Sequence, residues 1–252
     1  MTMTTVPDQT ASSEGLALLR LLQLASPGLP IGAFAYSQGL ESAVAVGLVT
    51  DEASACAWIV GLLTGPVTSL DLAVFVRLHA AFVAGDLTAA GRWNELLLAS
   101  RATAELQAED RHLGAALGRV LVTLGVNEAA DPASGPGQRD VKTGHRPRPE
   151  FGRPRSFAQM FSLGTARWLI EVRPAAQAFA FAWAEAQASA AVRLVPLGQS
   201  AGLRILAHVT RAIPPAVERA LSLADSQVGG AAPAQALLST FHETQYSRLF
   251  RS

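Results

Sequence analysis

The sequence predicts an all-α protein, a single compact bundle of about ten helices. Three observations predict it. Apolar side chains recur at three- and four-residue spacing through most of the chain, and capping residues, prolines and glycines punctuate those stretches. The alternation that marks strands is nearly absent, Leu169–Val172 being the one short candidate. Half of the 252 residues are hydrophobic and only 16% are charged, where about 25% is usual; mean hydropathy is +0.26. So little charge has two readings. Either small apolar residues of an alanine-rich helical protein sit harmlessly outside, or part of the surface meets other chains.

Residues 1–13 are polar and are expected to form a disordered arm until a partner orders them. The all-helical domain is expected over 14–252. Leu16, Leu19 and Leu22 mark a first helix ending at Ala25. It runs into Gln23–Glu41, where Pro27, Gly28, Pro30, Gly32 and Gly39 interrupt an apolar run. The prolines fix φ and bias the preceding residue away from helix. A shaped bend is therefore expected, with a second helix entered near Ala33–Ser37, and Leu29, Ile31, Phe34 and Tyr36 make it a packed bend. Thr50 or Asp51 caps a helix through Leu63 that buries Trp58 and Leu62, and Gly65-Pro66 ends it. Ser69 caps the next, with Leu72, Phe75, Val76 and His79 on one side. Gly85-Asp86 is a turn and cap before Trp93, Leu96 and Leu97. Arg101–Leu124 reads as one amphipathic helix, with Leu106, Leu113, Leu117, Val120 and Leu124 inward and Arg101, Glu105 and Glu109 on the solvated face. From 127 to 155 a basic, Pro- and Gly-rich segment is expected as a flexible loop. Phe157, Met160, Phe161 and Trp168 mark another helix. Pro174 fits the first turn of an alanine-rich helix carrying Phe179, Phe181 and Trp183. Pro196 begins the next, and Pro214-Pro215 the one after.

Several chemistries are poorly supported. Formal net charge is +0, so neither nucleic acid nor an anionic membrane is implied. Cys56 is the single cysteine and excludes an internal disulfide. The polar start lacks the features of a secretory leader, and Ala175–Val192 is interrupted by Gln177, Glu185 and Gln187, so a soluble cytoplasmic protein is expected. Ala35-Tyr36-Ser37-Gln38-Gly39 approaches the Gly-x-Ser-x-Gly elbow of serine hydrolases, yet the residues before it make a poor strand; a hydrolase using Ser37 stays as an alternative. The five histidines are scattered, and Glu105, Glu109, Asp110 and His112 read better as a solvated face than as ligands. Val141-Lys142-Thr143 lacks the glycine of a phosphate loop. The chain is expected to hold no catalytic residues, cofactor or stable metal site.

The tail carries Tyr246, Arg248, Leu249, Phe250 and Arg251, side chains typical of interface anchors. It is read as a segment over 239–252 that orders on binding another protein, against the alternative of a last helix packed on its own domain.

The Gln23–Glu41 stretch resembles the N-terminal signature of the urease accessory protein UreF family. His242-Glu243-Thr244-Gln245-Tyr246-Ser247-Arg248-Leu249-Phe250-Arg251-Ser252 and Arg193-Leu194-Val195-Pro196-Leu197-Gly198-Gln199 match in the same order, and the helical middle, 71–111, is also similar. The resemblance implies a non-catalytic maturation factor. Such proteins join UreD (also called UreH) and the GTPase UreG, dimerise, and couple GTP hydrolysis to nickel delivery into apo-urease. Carried over, Tyr246–Ser252 and the 1–25 arm would contact UreD. Tyr36, Ser37, Glu41 and the bend would face UreG or a second copy, with Gln199 near an interface. A free-standing nickel-binding chaperone is the other alternative. The 127–155 segment departs from the family pattern as an insertion.

Overall fold

The computed structural model describes residues 9–130 and 154–252, with side chains from residue 14 onward. Ten α-helices are present among them and no strand: α1 Gln9–Ala25, α2 Leu40–Ala45, α3 Glu52–Leu62, α4 Ala73–Ala84, α5 Leu87–Ala99, α6 Ala104–Thr123, α7 Phe157–Arg167, α8 Val172–Leu194, α9 Gln199–Ser222 and α10 Pro233–Glu243. The all-α expectation holds. The helices close on a continuous core whose centre is aromatic. Phe75 of α4 lies 5.0 Å from Phe179 of α8, ring centre to ring centre, and Phe161 of α7 lies 5.6 Å from Phe179. Alanines let α8 come close: Ala176, Ala180, Ala184 and Ala188, one turn apart, are all buried. Glycine does the same for α6 and α7, since a Cβ on Gly164 would lie 2.7 Å from Leu121.

Caps expected from the sequence form. Asp51 accepts the Ser54 N–H at the start of α3, with Ser54 reciprocating, and Asp86 accepts the Ala89 N–H at the start of α5. Several boundaries differ, each for a local reason. α1 begins at Gln9, so residues 9–13 belong to a helix rather than to the expected disordered arm; residues 1–8 lie outside the described part. Gly65-Pro66 does not end a helix. The chain passes through a wide π-type turn, Leu63–Leu72, bent at Gly65, and continues into α4. Thr68 donates to the Leu63 carbonyl at 2.6 Å and Ser69 to the Gly65 carbonyl at 3.2 Å. Those hydroxyls bond carbonyls inside the kinked turn, so Ser69 is not a cap. Nor does Pro214-Pro215 begin a helix. Both lie inside α9 on its exposed side, where the carbonyls they leave unpaired face solvent.

Leu169–Val172 is no strand. Leu169 is an exposed hinge residue at φ 56°, turning the chain from α7 into α8. Most of the 127–155 loop lies outside the described residues, but its ends meet. Arg155 donates to the carbonyls of Ala129 and Ala130, while Asn94 grips the returning chain through Pro154 O and Ser156 N–H. Glu52–Ala84 is long and apolar enough to span a membrane by length and composition alone, yet 61% of its apolar window is buried in the bundle, as in a core helix.

Candidate functional site: the bend and the tail

The expected helix at Ala33–Ser37 is a single 3-10 turn, Ala33–Ala35, and α2 starts only at Leu40. Two consecutive left-handed residues, Gln38 at φ 53° and Gly39 at φ 86°, separate them. Left-handed backbone is costly for a residue with a Cβ. At Gln38 three hydrogen bonds besides that of its own N–H hold it in place. Its amide donates to Glu109 Oε1 at 2.6 Å and accepts from Trp183 Nε1 at 2.8 Å, and its carbonyl accepts from Gln235 Nε2 at 3.2 Å. Gly39 must be glycine for a second reason, because a Cβ there would press on the Gln235 carbonyl and Ser239 nitrogen of α10 at 3.3 and 3.4 Å. Gly39→Ala should therefore cost about 1–2 kcal/mol, read as a lower denaturant midpoint with an unchanged slope.

The tail closes over this bend. The main-chain oxygen of Ser252 accepts from Ser37 N–H at 2.8 Å, Gln38 N–H at 3.1 Å and Ser37 Oγ at 2.5 Å. Arg251 N–H donates to Ala35 O. The buried carboxylate of Glu41 accepts the Leu249 N–H at 2.7 Å and the Phe250 N–H at 2.9 Å. Phe250 is buried beneath the Arg193 guanidinium, 5.3 Å from its ring centre. The Ser252 hydroxyl donates to Glu109 Oε2 at 2.8 Å. Further back, His242 of α10 is wholly buried, with Nδ1 2.7 Å from Glu105 Oε2 and Nε2 3.1 Å from Glu41 Oε2, and Arg248 pairs with Glu105 Oε1 at 2.5 Å.

The expected site residues thus fall into two groups. Tyr36, Ser37, Glu41 and Phe250 are buried against the chain's own bend, tail and α6. Arg248 is tied to Glu105, and Tyr246, Leu249 and Arg251 remain exposed. Gln199 is exposed at the start of α9. The tail is a packed segment of this chain, and only its outward side chains face solvent.

Glu109 and Asp110 correct another expectation, since both are buried rather than on a solvated face. Burial pushes the Glu109 carboxyl up to about 7, against the hydrogen bonds from Gln38 and Ser252. Arg101 sits before α6, not in it; Thr103 is the cap. Its guanidinium binds Asp71 Oδ1 and Asp110 Oδ2, each at 2.5 Å. Burial alone would lower its pKa, but the two carboxylates outweigh that and hold it charged. These groups border a cavity of about 100 Å³ under the bend, also lined by Tyr36, Gln38, Trp183 and Gln187. Burial raises the pKa of the Tyr36 hydroxyl, the Arg251 side chain beside it pulling the other way; the hydroxyl also meets His112 Nδ1 at 3.2 Å.

The hydrolase reading loses its geometry here. Ser37 follows a 3-10 turn, not a strand, and its hydroxyl is bound to Ser252. Among the described residues no three His, Cys, Asp or Glu side chains are grouped as a metal site. Sequence reasoning missed His242, Glu105, Gln38, Trp183 and Ser252 as parts of the assembly. The motif containing His242 was visible, but its partner Glu41 lies 201 residues away.

A model of the UreF family matches residues 49–210. The chain belongs to the UreF family. The urease accessory protein UreF of Alkalilimnicola ehrlichii is 42% identical over 247 residues, covering 96% of this chain and 99% of that protein. UreF 2 of Brucella anthropi is 42% identical over 240 residues (95% and 98%), and a Pseudomonas putida UreF 44% over 237 residues (94% and 98%). Membership of the UreF family points to urease maturation.

Proposed function

We propose that this chain is a non-catalytic urease maturation factor that bridges UreD (or UreH) and the GTPase UreG, and couples GTP hydrolysis to nickel insertion into apo-urease. It works in the cytoplasm as a homodimer in this reading. One observation supports it beyond family membership. The tail is anchored from within by Phe250 and Ser252, while α10 and the tail present Leu237, Phe241, Tyr246 and Leu249 outward, each half exposed or more. Anchoring an otherwise floppy end in one geometry lowers the ordering cost of binding through its outer side. A second uncovered face, Leu16, Leu18, Leu19 and Leu22 on α1, borders an apolar groove of about 600 Å³ shared with α8 and α9. It supports contacts with UreD through the 1–25 segment and with a second copy.

The outer anchors separate binding from folding. Tyr246→Ala with Leu249→Ala leaves every latch hydrogen bond in place. It should reduce UreD capture by this chain at least thirtyfold, about 2 kcal/mol, with the helical circular dichroism unchanged. Unaltered capture by the double variant contradicts the assignment of this face.

A further inference from the structure

We infer that the outward face of α6 is a docking surface for an acidic stretch of a partner protein, with Arg111 and Arg119 as its carboxylate-binding anchors. The inference goes beyond the UreD and UreG assignments and rests on neither.

Arg111, Ala115 and Arg119 follow one another at successive turns of α6, and all three are exposed, as is His112. The two arginines lie about 12 Å apart along the helix axis. A helical arginine is neutralised most simply by an acid three or four residues away. Here positions 107, 108, 114, 115, 116, 122 and 123 are all uncharged. The acids that α6 carries beside them are turned inward. Asp110 is bound to Arg101, and Glu109 to Gln38 and Ser252. The Arg111 guanidinium donates to a neutral acceptor, Gln107 Oε1, at 3.3 Å.

The positive stripe continues over the tail. His112 Nδ1 meets the Tyr36 hydroxyl, which the Arg251 side chain also reaches, and Arg193 lies over Phe250, the residue before Arg251. Among the described residues none of Arg111, Arg119, Arg193 and Arg251 makes an ion pair. In a chain of formal net charge +0, such a band is a local positive field that calls for an anion from outside.

The occupant is another protein. The segment joining 130 to 154 has both ends on α6. A Cβ at Gly118 would lie 3.1 Å from the Ala129 carbonyl, and one at Gly114 would collide with the Arg155 carbonyl. Between those ends the sequence holds Arg139, Lys142, Arg146, Arg148 and Arg153 against Asp131, Asp140 and Glu150, so it adds positive charge and supplies no counter-charge. A second copy would set the same stripe against itself in a two-fold pair, where like charges repel. Nucleic acid is held by a field of many phosphate contacts, and this neutral chain offers few. Guanidinium forks bind carboxylates bidentately, and the small Ala115 between them lets a partner backbone come close.

Binding of a fluorescein-labelled peptide of eight glutamates to the full chain is followed by anisotropy at low salt. Arg111→Glu with Arg119→Glu should weaken it about tenfold or more, and Arg111→Gln with Arg119→Gln, which removes charge without reversing it, about fivefold. Arg211→Glu with Arg219→Glu is the control. Those residues are exposed on α9 at the same spacing, where Glu218 pairs with Arg173 and Glu52 with Arg204, and the loss should stay below about threefold. Helical circular dichroism should be the same in all four chains. No binding by the intact chain overturns the inference. So does an equal loss from the α6 and α9 pairs, which would mean a response to overall charge alone. Tighter binding of an eight-nucleotide RNA through Arg111 and Arg119 would assign the face to nucleic acid and overturn it too. Neither UreD nor UreG is present in the measurement, so its failure leaves the proposed function standing.

Discussion

Replacing Arg101 by alanine should lower the unfolding free energy by about 3–5 kcal/mol. The guanidinium is the cation between Asp71, at the end of the π-type turn, and Asp110 in α6. It ties α3–α4 to α6 at the floor of the cavity below the bend. Without it two buried carboxylates face each other, and each must be neutralised or hydrated. Burial already pushes Asp71 above the ordinary carboxylate range. The deficit should accordingly shrink as pH falls, since protonation removes the repulsion in the variant. Urea unfolding at pH 7 and at pH 5 checks both statements. A loss below about 1 kcal/mol at pH 7 means that the ion cluster does not organise the bend, the range being that of an exposed pair.

Replacing Glu41 by alanine should open the tail while leaving most of the bundle intact. Its carboxylate is the acceptor for two consecutive tail amides and one face of His242. Charge-assisted hydrogen bonds contribute roughly 1.5–3 kcal/mol each. Some of that is recovered when freed amides reach water. Exchange protection of Leu249 and Phe250 should fall about a hundredfold, roughly 2–3 kcal/mol. Amides in α4 and α7, at the aromatic centre, should stay within about threefold of their original protection. Parallel losses in tail and core would mean that Glu41 supports the whole fold rather than a local latch.

The helices were readable because their signals are local. Asp51 and Asp86 each cap the helix that begins beside them, apolar spacing marks α6, and Pro174 with the alanine-rich run marks α8. Proline misled in both directions. The chain kinks at Gly65 and stays wound through Pro66, with the Thr68 and Ser69 hydroxyls on carbonyls of the same turn, and Pro214 and Pro215 lie on the exposed side of α9, where the carbonyls they free meet solvent. The bend was legible as a packed turn from its prolines and glycines. Its contents were not. Glu41 reads as an ordinary first-turn acid until α10 places His242 against it, and Glu109 as a solvated acid until Gln38 and Ser252 cover it. Spacing in sequence cannot report a carboxylate whose partners lie on another helix and on the tail. The tail's composition marked it as an anchor, but its anchoring is divided. Phe250 and Ser252 hold it to its own domain, and Tyr246 and Leu249 point away.

The central claim is that this chain acts by holding other proteins, the metal chemistry being theirs. Nickel bound per urease active site, measured by metal analysis after maturation with UreD, UreG and either the intact chain or one lacking Arg248–Ser252, tests it most directly. The account predicts near-complete loading with the intact chain and almost none with the shortened one, at equal helical content. Full loading by the shortened chain would contradict it.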